Sequence, residues 1–152
     1  MKLLVFAPCE RALVEQGNNG VSLISVLQNL TVTLSGDSVP AESAALDSFQ
    51  WYAVAMWRRE DGDEGKRFQQ RVTLLSPAGA VMLRAVAEFE LLKAFHRVIS
   101  RIQAFPMAEG TYTLELAVRD TAGLDEHEWN LVSSYPIGVT HRTKPTSQPT
   151  AH

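Results

Sequence analysis

Apolar side chains recur at every second position through most of this chain, and this spacing strongly limits what it can fold into. Side chains of an extended strand alternate between the two faces of a sheet, whereas those of a helix repeat about every 3.6 residues. Residues 111–120 are the clearest example. Their apolar face consists of Tyr112, Leu114, Leu116 and Val118. The pattern predicts strands with one face on a core and the other toward solvent.

Turn signals divide the alternating segments from one another. The strongest is Gly17-Asn18-Asn19-Gly20, because Asn-Gly readily adopts the positive φ angles of a tight hairpin turn. Further turns are predicted at 61–65, 77–79 and 109–110, where Gly, Pro and Asp cluster. We therefore predict about eight strands. They lie at 2–15, 22–34, 49–59, 66–76, 81–91, 98–104, 111–120 and 129–139.

Residues 81–105 fit two periodicities. Leu91, Phe95, Val98 and Ile102 follow the three-then-four spacing of an amphipathic helix. Residues 81–91 and 98–104 also alternate as strands do. Periodicity alone slightly favours the helix here, so a short helix within 85–103 stays open.

The predicted fold is an all-β, antiparallel sandwich of two sheets, since alternating faces can be hidden by stacking one sheet on another. The alternative is an α+β fold with a short helix within 85–103. With 152 residues the chain suits one domain that buries about 70% of its unfolded surface. We assign the sandwich to 1–140 and predict that 141–152, rich in Thr, Pro and Ser, form a disordered polar tail.

Charge and cysteine content exclude several classes of function. The formal net charge is −3, which argues against a nucleic-acid partner. Cys9 is the only cysteine, so an internal disulfide is excluded and a cytoplasmic location is the default. The apolar run at 3–7 is too short for a secretory signal, and no segment approaches the roughly 18 apolar residues of a membrane span.

Several ordered segments resemble an uncharacterised bacterial family that carries a domain-of-unknown-function label. The segments are Phe6-Ala7-Pro8-Cys9-Glu10-Arg11-Ala12, Asn19-Gly20-Val21-Ser22-Leu23-Ile24-Ser25-Val26-Leu27, Leu75-Ser76-Pro77-Ala78-Gly79, and 105–112 with Gly110-Thr111-Tyr112. The resemblance covers roughly 1–139 and implies a single-domain β-sandwich-like protein from a bacterium. It also implies a strand at 96–105, which tips that segment away from the helix. It supplies no catalytic residues.

A metal site has weak candidates. Asp61 and Asp63 offer hard oxygen ligands on one loop, but Lys66 stands where a helix-loop-helix calcium site needs glycine, and Val72 where it needs glutamate. The four histidines do not form a motif with metal-ligand spacing. We therefore predict neither a metal nor another cofactor.

The sequence also contains no motif for nucleophilic catalysis. The segment from Gly20 to Ile24 lacks the second glycine of a nucleophile elbow. Cys9 lies in an apolar strand and is predicted to be a buried, inert thiol. An enzymatic hypothesis would need polar groups that converge, such as His96 with Glu88 or Glu90. We predict a noncatalytic protein.

Aromatic residues on the strand at 49–59 are the most suggestive feature. Trp51 and Trp57 share one face, separated by Ala53 and Ala55, so they could fill the core or floor a binding platform. We favour the core. We predict that the protein acts through contacts with an unknown protein partner or by homo-oligomerisation. The alternative is a small-ligand or saccharide-binding module that uses Trp51, Tyr52 and Trp57.

Overall fold

The computed structural model describes residues 1–18, 20–34, 39–41, 44–121 and 128–144, and that part of the chain contains nine strands. The strands are β1 (Lys2–Val14), β2 (Val21–Val26), β3 (Asn29–Leu34), β4 (Gln50–Arg58), β5 (Arg67–Leu75), β6 (Val81–Glu90), β7 (Phe95–Gln103), β8 (Gly110–Asp120) and β9 (Asn130–Thr143). No helix that could cross a membrane is found within the described residues.

The strands form two sheets, which confirms the predicted all-β sandwich. Sheet A has the order β2-β1-β4-β7, and sheet B has the order β3-β9-β8-β5-β6. Every neighbouring pair is antiparallel except β3 and β9, which run parallel. The predicted hairpin is present, since Val14 of β1 pairs with Val21 of β2.

The predicted strand at 22–34 is two strands, and this raises the count from about eight to nine. β2 ends at Val26 in sheet A, and β3 begins at Asn29 in sheet B. Leu27 donates its N–H to the Pro8 carbonyl of sheet A, and Gln28 accepts from Gly138 of sheet B. Because both strands alternate with a period of two, the sequence pattern does not reveal where the chain changes sheets.

Residues 85–103 contain no helix. β6 and β7 belong to different sheets, and the chain crosses between them at 91–94. The helical spacing combined side chains that lie on opposite faces of β7: Val98 and Ile102 are buried, whereas Phe95 is 63% exposed. The strand interpretation is therefore the correct one.

β9 extends past the boundary predicted for the domain. It continues to Thr143, which pairs with Leu34 of β3. The first three residues of the predicted tail, 141–143, thus belong to a strand, because β3 offers them a neighbour that the sequence does not show. Residues 145–152 lie outside the described residues.

The core lies between the sheets and is rich in aromatic rings. Its largest fully buried side chains are Trp51, Trp57, Tyr112, Phe105, Leu74, Leu91, Leu114, Leu116 and Ile137. β4 contributes the two indoles from sheet A, and β8 contributes the inward row of sheet B. Burial of this apolar surface is the main force holding the two layers together.

Candidate interaction surface

Trp51 and Trp57 face the core rather than solvent. Their exposed fractions are 0% and 1%. Trp51 donates its indole N–H to the Ala104 carbonyl at 3.0 Å, and Trp57 donates to Oε1 of Gln70 at 3.0 Å. The only polar atom of each ring is thus satisfied inside the protein, as burial of an indole requires.

Other rings cover the two indoles. The Trp57 ring stacks on Phe89 with centroids 6.1 Å apart, and the Trp51 ring lies 5.5 Å from Phe105. Neither indole therefore has a free face on which a saccharide could stack. Tyr52 points to the opposite side of sheet A, where it is half-buried and its hydroxyl is hydrogen-bonded to the Gln50 amide. The three residues do not form one platform.

The two weak metal candidates, Asp61 and Asp63, differ in exposure and in their contacts. Asp61 is exposed, whereas Asp63 is 8% exposed and forms an ion pair with the amino group of Met1. Asp63 also accepts a hydrogen bond from the backbone N–H of Glu60 at 3.3 Å. The bond from the amino group is the main reason that the pKa of Asp63 lies below its ordinary value. In the described part of the chain, no three His, Cys, Asp or Glu residues are placed to hold a metal ion.

The side chains named in the enzymatic hypothesis make separate contacts, although Glu90 and His96 both line one open pocket beside β7. The His96 ring stacks on Phe89 with centroids 5.0 Å apart, toward the core. Glu88 instead accepts from Gln69 at 3.4 Å, and Glu90 pairs with Arg67 at 3.6 Å. In this structure neither glutamate is hydrogen-bonded to the imidazole, so the three side chains form no acid–base pair.

His96 should make stability depend on pH. Burial, helped by the charge of Arg97, lowers its pKa. The unfolded chain therefore takes up this proton at a higher pH than the folded chain, so acidification favours unfolding. We expect the free energy of unfolding to fall as the pH drops below the ordinary histidine value of about 6.5 toward the lower folded value.

Urea unfolding at a series of pH values between about 8 and 5 measures this effect. His96→Phe keeps an aromatic ring against Phe89 and removes the titrating group, so its stability should vary less with pH. Equal pH dependence in the two proteins would show that His96 is not the cause.

The outward side of sheet A, here called the A face, carries an apolar strip. Strand register places three side chains in its central row: Ala7 of β1, Val54 of β4 and Ile99 of β7. The apolar side chains of the whole face are Val5, Ala7, Leu13, Ile24, Val26, Val54, Met56, Phe95 and Ile99. Among them Val26 is 41% exposed, Leu13 51% and Phe95 63%. The central row itself is mostly buried, with Val54 0% and Ala7 8% exposed, so the apolar surface that water reaches lies around it. Solvent-facing sheet surfaces are usually polar, so this much exposed apolar surface is unusual on a side that no further strand of the described residues covers.

Cations frame the apolar strip. The A face carries Lys2, Arg11, Arg58, Arg97 and Arg101. Its strand positions hold no Asp or Glu. The face therefore has a formal charge of +5 in a chain whose total is −3, which leaves −8 for all other residues. Positive charge thus predominates at the strand positions of this face.

The outward side of sheet B has a different composition. Its central rows, set by the pairing of β6, β5 and β8, contain polar and charged side chains of both signs. They include Gln69, Arg71, Thr73, Arg84, Glu88, Glu115 and Arg119. Sheet B thus presents mainly the solvated surface expected of a sandwich, and the contrast marks the A face as the candidate site.

Cys9 lies on the A face but is not accessible there. Its pairing partners are Val26 and Tyr52, and its exposed fraction is 0%. Burial raises the pKa of the thiol, which keeps it protonated and unreactive. The predicted buried cysteine is therefore observed, beneath the surface of the sheet rather than in the core between the sheets.

Sequence reasoning missed the A face because its members come from four strands. A signal did exist: β4 is apolar on both sides, with Val54 and Met56 opposite Trp51 and Trp57. No protein-family model matches the chain, and no match to a curated protein reaches significance. The resemblance to an uncharacterised bacterial family stays a prediction.

Proposed function

We propose that this protein is a noncatalytic interaction module of the bacterial cytoplasm that binds an acidic partner protein through the A face. One observation carries the proposal: five exposed apolar side chains share with five cations a sheet surface whose strand positions hold no acid, and these side chains are Val5, Leu13, Ile24, Val26 and Phe95. Arginine, methionine and aromatic side chains are enriched in protein interfaces, whereas aspartate and glutamate are depleted. The cytoplasmic assignment is supported by the lone, buried Cys9.

Charge favours a different protein over a second copy as the partner. Two copies meeting through the same face would bring five cations against five cations, which is repulsive. An A face docked on the acidic remainder of another copy would leave one A face of the pair free, and such a head-to-tail contact tends toward open filaments. An acidic partner avoids both problems and is attracted over a distance.

The shape of the surface favours a protein over a lipid bilayer. Apolar side chains that anchor proteins in a bilayer typically penetrate about 5–10 Å into it. On the A face the apolar side chains lie on strands, and the most exposed of them, Phe95, is 63% exposed. The arginines beside them instead suit a partner's surface, where guanidinium groups can bind carboxylates with two hydrogen bonds.

A peptide with alternating Glu and Leu tests the proposal, because it supplies an apolar side and an acidic side in extended form. We expect the labelled peptide to bind the full chain, as measured by fluorescence anisotropy, and to bind more weakly at high salt. Reversing two charges, Arg11→Glu with Arg101→Glu, should weaken binding by about tenfold or more.

Arg142→Glu is the matched control, since it reverses an exposed charge on β9 of sheet B. Binding should survive this change. The proposal is overturned if Arg142→Glu weakens binding as much as the A-face pair does. It is also overturned if a Lys-Leu peptide or vesicles of anionic lipid bind in place of the Glu-Leu peptide, or if light scattering shows a stable dimer that Arg101→Glu abolishes.

A further inference from the structure

Two arginines on the outward side of sheet B converge on one indole ring. The guanidinium carbon of Arg71 lies 4.5 Å from the ring centroid of Trp129, and that of Arg119 lies 4.6 Å from it. Strand pairing places Ala117 of β8 opposite Arg71, and Arg119 two residues further along β8 opposite Gln69. Cation–π contact of this kind fixes guanidinium groups in position.

A third arginine lies on the same outward side: Arg84 of β6 pairs with Thr73, two positions along β5 from Arg71. The charges of Arg84 and Arg119 both act against Arg71, and burial and these two charges lower the pKa of Arg71 despite the opposing charge of Glu115. With Glu88, which lies on the same side opposite Gln69, the three guanidinium groups and two carboxylates carry a formal charge of +1. Like charges held this close destabilise one another unless an anion joins them.

Arg71 also has an unmet hydrogen-bonding group. Its Nε is buried and has no hydrogen-bond partner among the described residues. Arg119, in contrast, donates its Nε to Oε1 of Gln69 at 2.9 Å, and Gln69 in turn donates to Glu88 at 3.4 Å. A buried N–H without a partner costs free energy that a bound acceptor would recover.

We propose that Arg71, Arg84 and Arg119 bind a phosphoryl dianion beside Trp129. A guanidinium stacked on a ring uses its flat face, which leaves N–H groups on its edge to bind the oxygens of an oxyanion with two hydrogen bonds. A phosphoryl group offers three oxygens to these donors, whereas a carboxylate offers two. This site lies on the outward side of sheet B, opposite the A face, and is independent of the proposed function.

Nuclear magnetic resonance of the full ¹⁵N-labelled chain tests the site, with inorganic phosphate added at constant ionic strength against chloride. The Arg71 Nε–H signal should move downfield as it gains an acceptor, and the Trp129 indole signal should shift with it. The indole signals of Trp51 and Trp57 should stay in place, because both rings are buried between the sheets.

Substitution then separates binding from general charge effects. Arg84→Gln should weaken phosphate binding by about tenfold, since it removes one charged hydrogen-bond donor. Arg101→Gln, which removes a cation from the A face, should leave the affinity unchanged. Equal unfolding curves for the two variants would show that Arg84→Gln acts on binding rather than on folding.

Two further probes identify the source of the phosphoryl group. Tighter binding of a phosphoserine peptide than of inorganic phosphate would support a modified protein as the ligand, and the reverse order would support a small phosphate. The proposal is overturned if chloride alone produces the same shifts, if acetate binds as tightly as phosphate, or if Arg84→Gln binds phosphate like the unmodified chain.

Discussion

Replacing Trp57 with alanine is expected to lower the free energy of unfolding by about 3–5 kcal/mol, the usual range for truncating a buried large aromatic side chain. Trp57 is 1% exposed and stacks on Phe89, so the change would open a cavity between the sheets. It would also remove the donor to Gln70, whose Nε2 already has no hydrogen-bond partner among the described residues. Urea denaturation followed by circular dichroism measures the loss.

Tyr52→Ala on the same strand is the control. Because Tyr52 is half-buried on the A face, its truncation should cost about 1 kcal/mol. Trp57→Phe keeps most of the ring but leaves the Gln70 amide unsatisfied, so it should cost about 1–3 kcal/mol. Adding Gln70→Met should recover part of that loss. Equal losses for Trp57→Ala and Tyr52→Ala would contradict the placement of Trp57 in the core.

Gly110→Ala is expected to be the other large loss, about 2–4 kcal/mol. Gly110 begins β8 with φ of +142°, a conformation that L side chains rarely adopt. An added Cβ would stand 2.5 Å from Cγ of Pro77, far inside normal contact distance. The alanine would therefore suffer both backbone strain and a clash with a rigid ring, and the midpoint of urea unfolding should fall accordingly.

Gly79→Ala separates these two effects. Gly79 also has a positive φ, +83°, but an added Cβ there would meet no atom within 4 Å. Its cost should be the backbone term alone, about 1–2 kcal/mol. Pro77→Ala placed in the Gly110→Ala background should restore part of the lost stability. If Gly79→Ala and Gly110→Ala cost the same, contact with Pro77 is unimportant.

The contact between Gly110 and Pro77 links two features that looked unrelated in the sequence. Both were landmarks of the resemblance, one in a Pro-x-Gly turn and the other at the start of an aromatic strand. Their proximity follows from the pairing of β5 with β8, in which Leu75 lies opposite Thr113. Landmarks far apart along the chain can therefore serve a single packing contact.

The amino-acid sequence alone does not predict which residues come together at the two candidate sites. The sequence placed Trp129 in the last predicted strand, at 129–139, without indicating its neighbours, and its ring lies beside Arg71 and Arg119 from two other strands. The A face likewise combines side chains from β1, β2, β4 and β7. Such surfaces arise from strand pairing, which joins residues distant in sequence.

The amino-acid sequence by itself determined that this chain forms strands and that they stack in two layers, because alternation with a period of two depends only on local order along the chain. Tertiary structure alone decided that β2 and β3 lie in different sheets and that β3 runs parallel to β9. It also settled which side of β4 faces the core: the sequence favoured the side with Trp51 and Trp57, but Val54 and Met56 make the other side apolar too. The physical reason is that alternation specifies two faces for each strand, whereas pairing and stacking with distant strands select its neighbours and the face that water reaches.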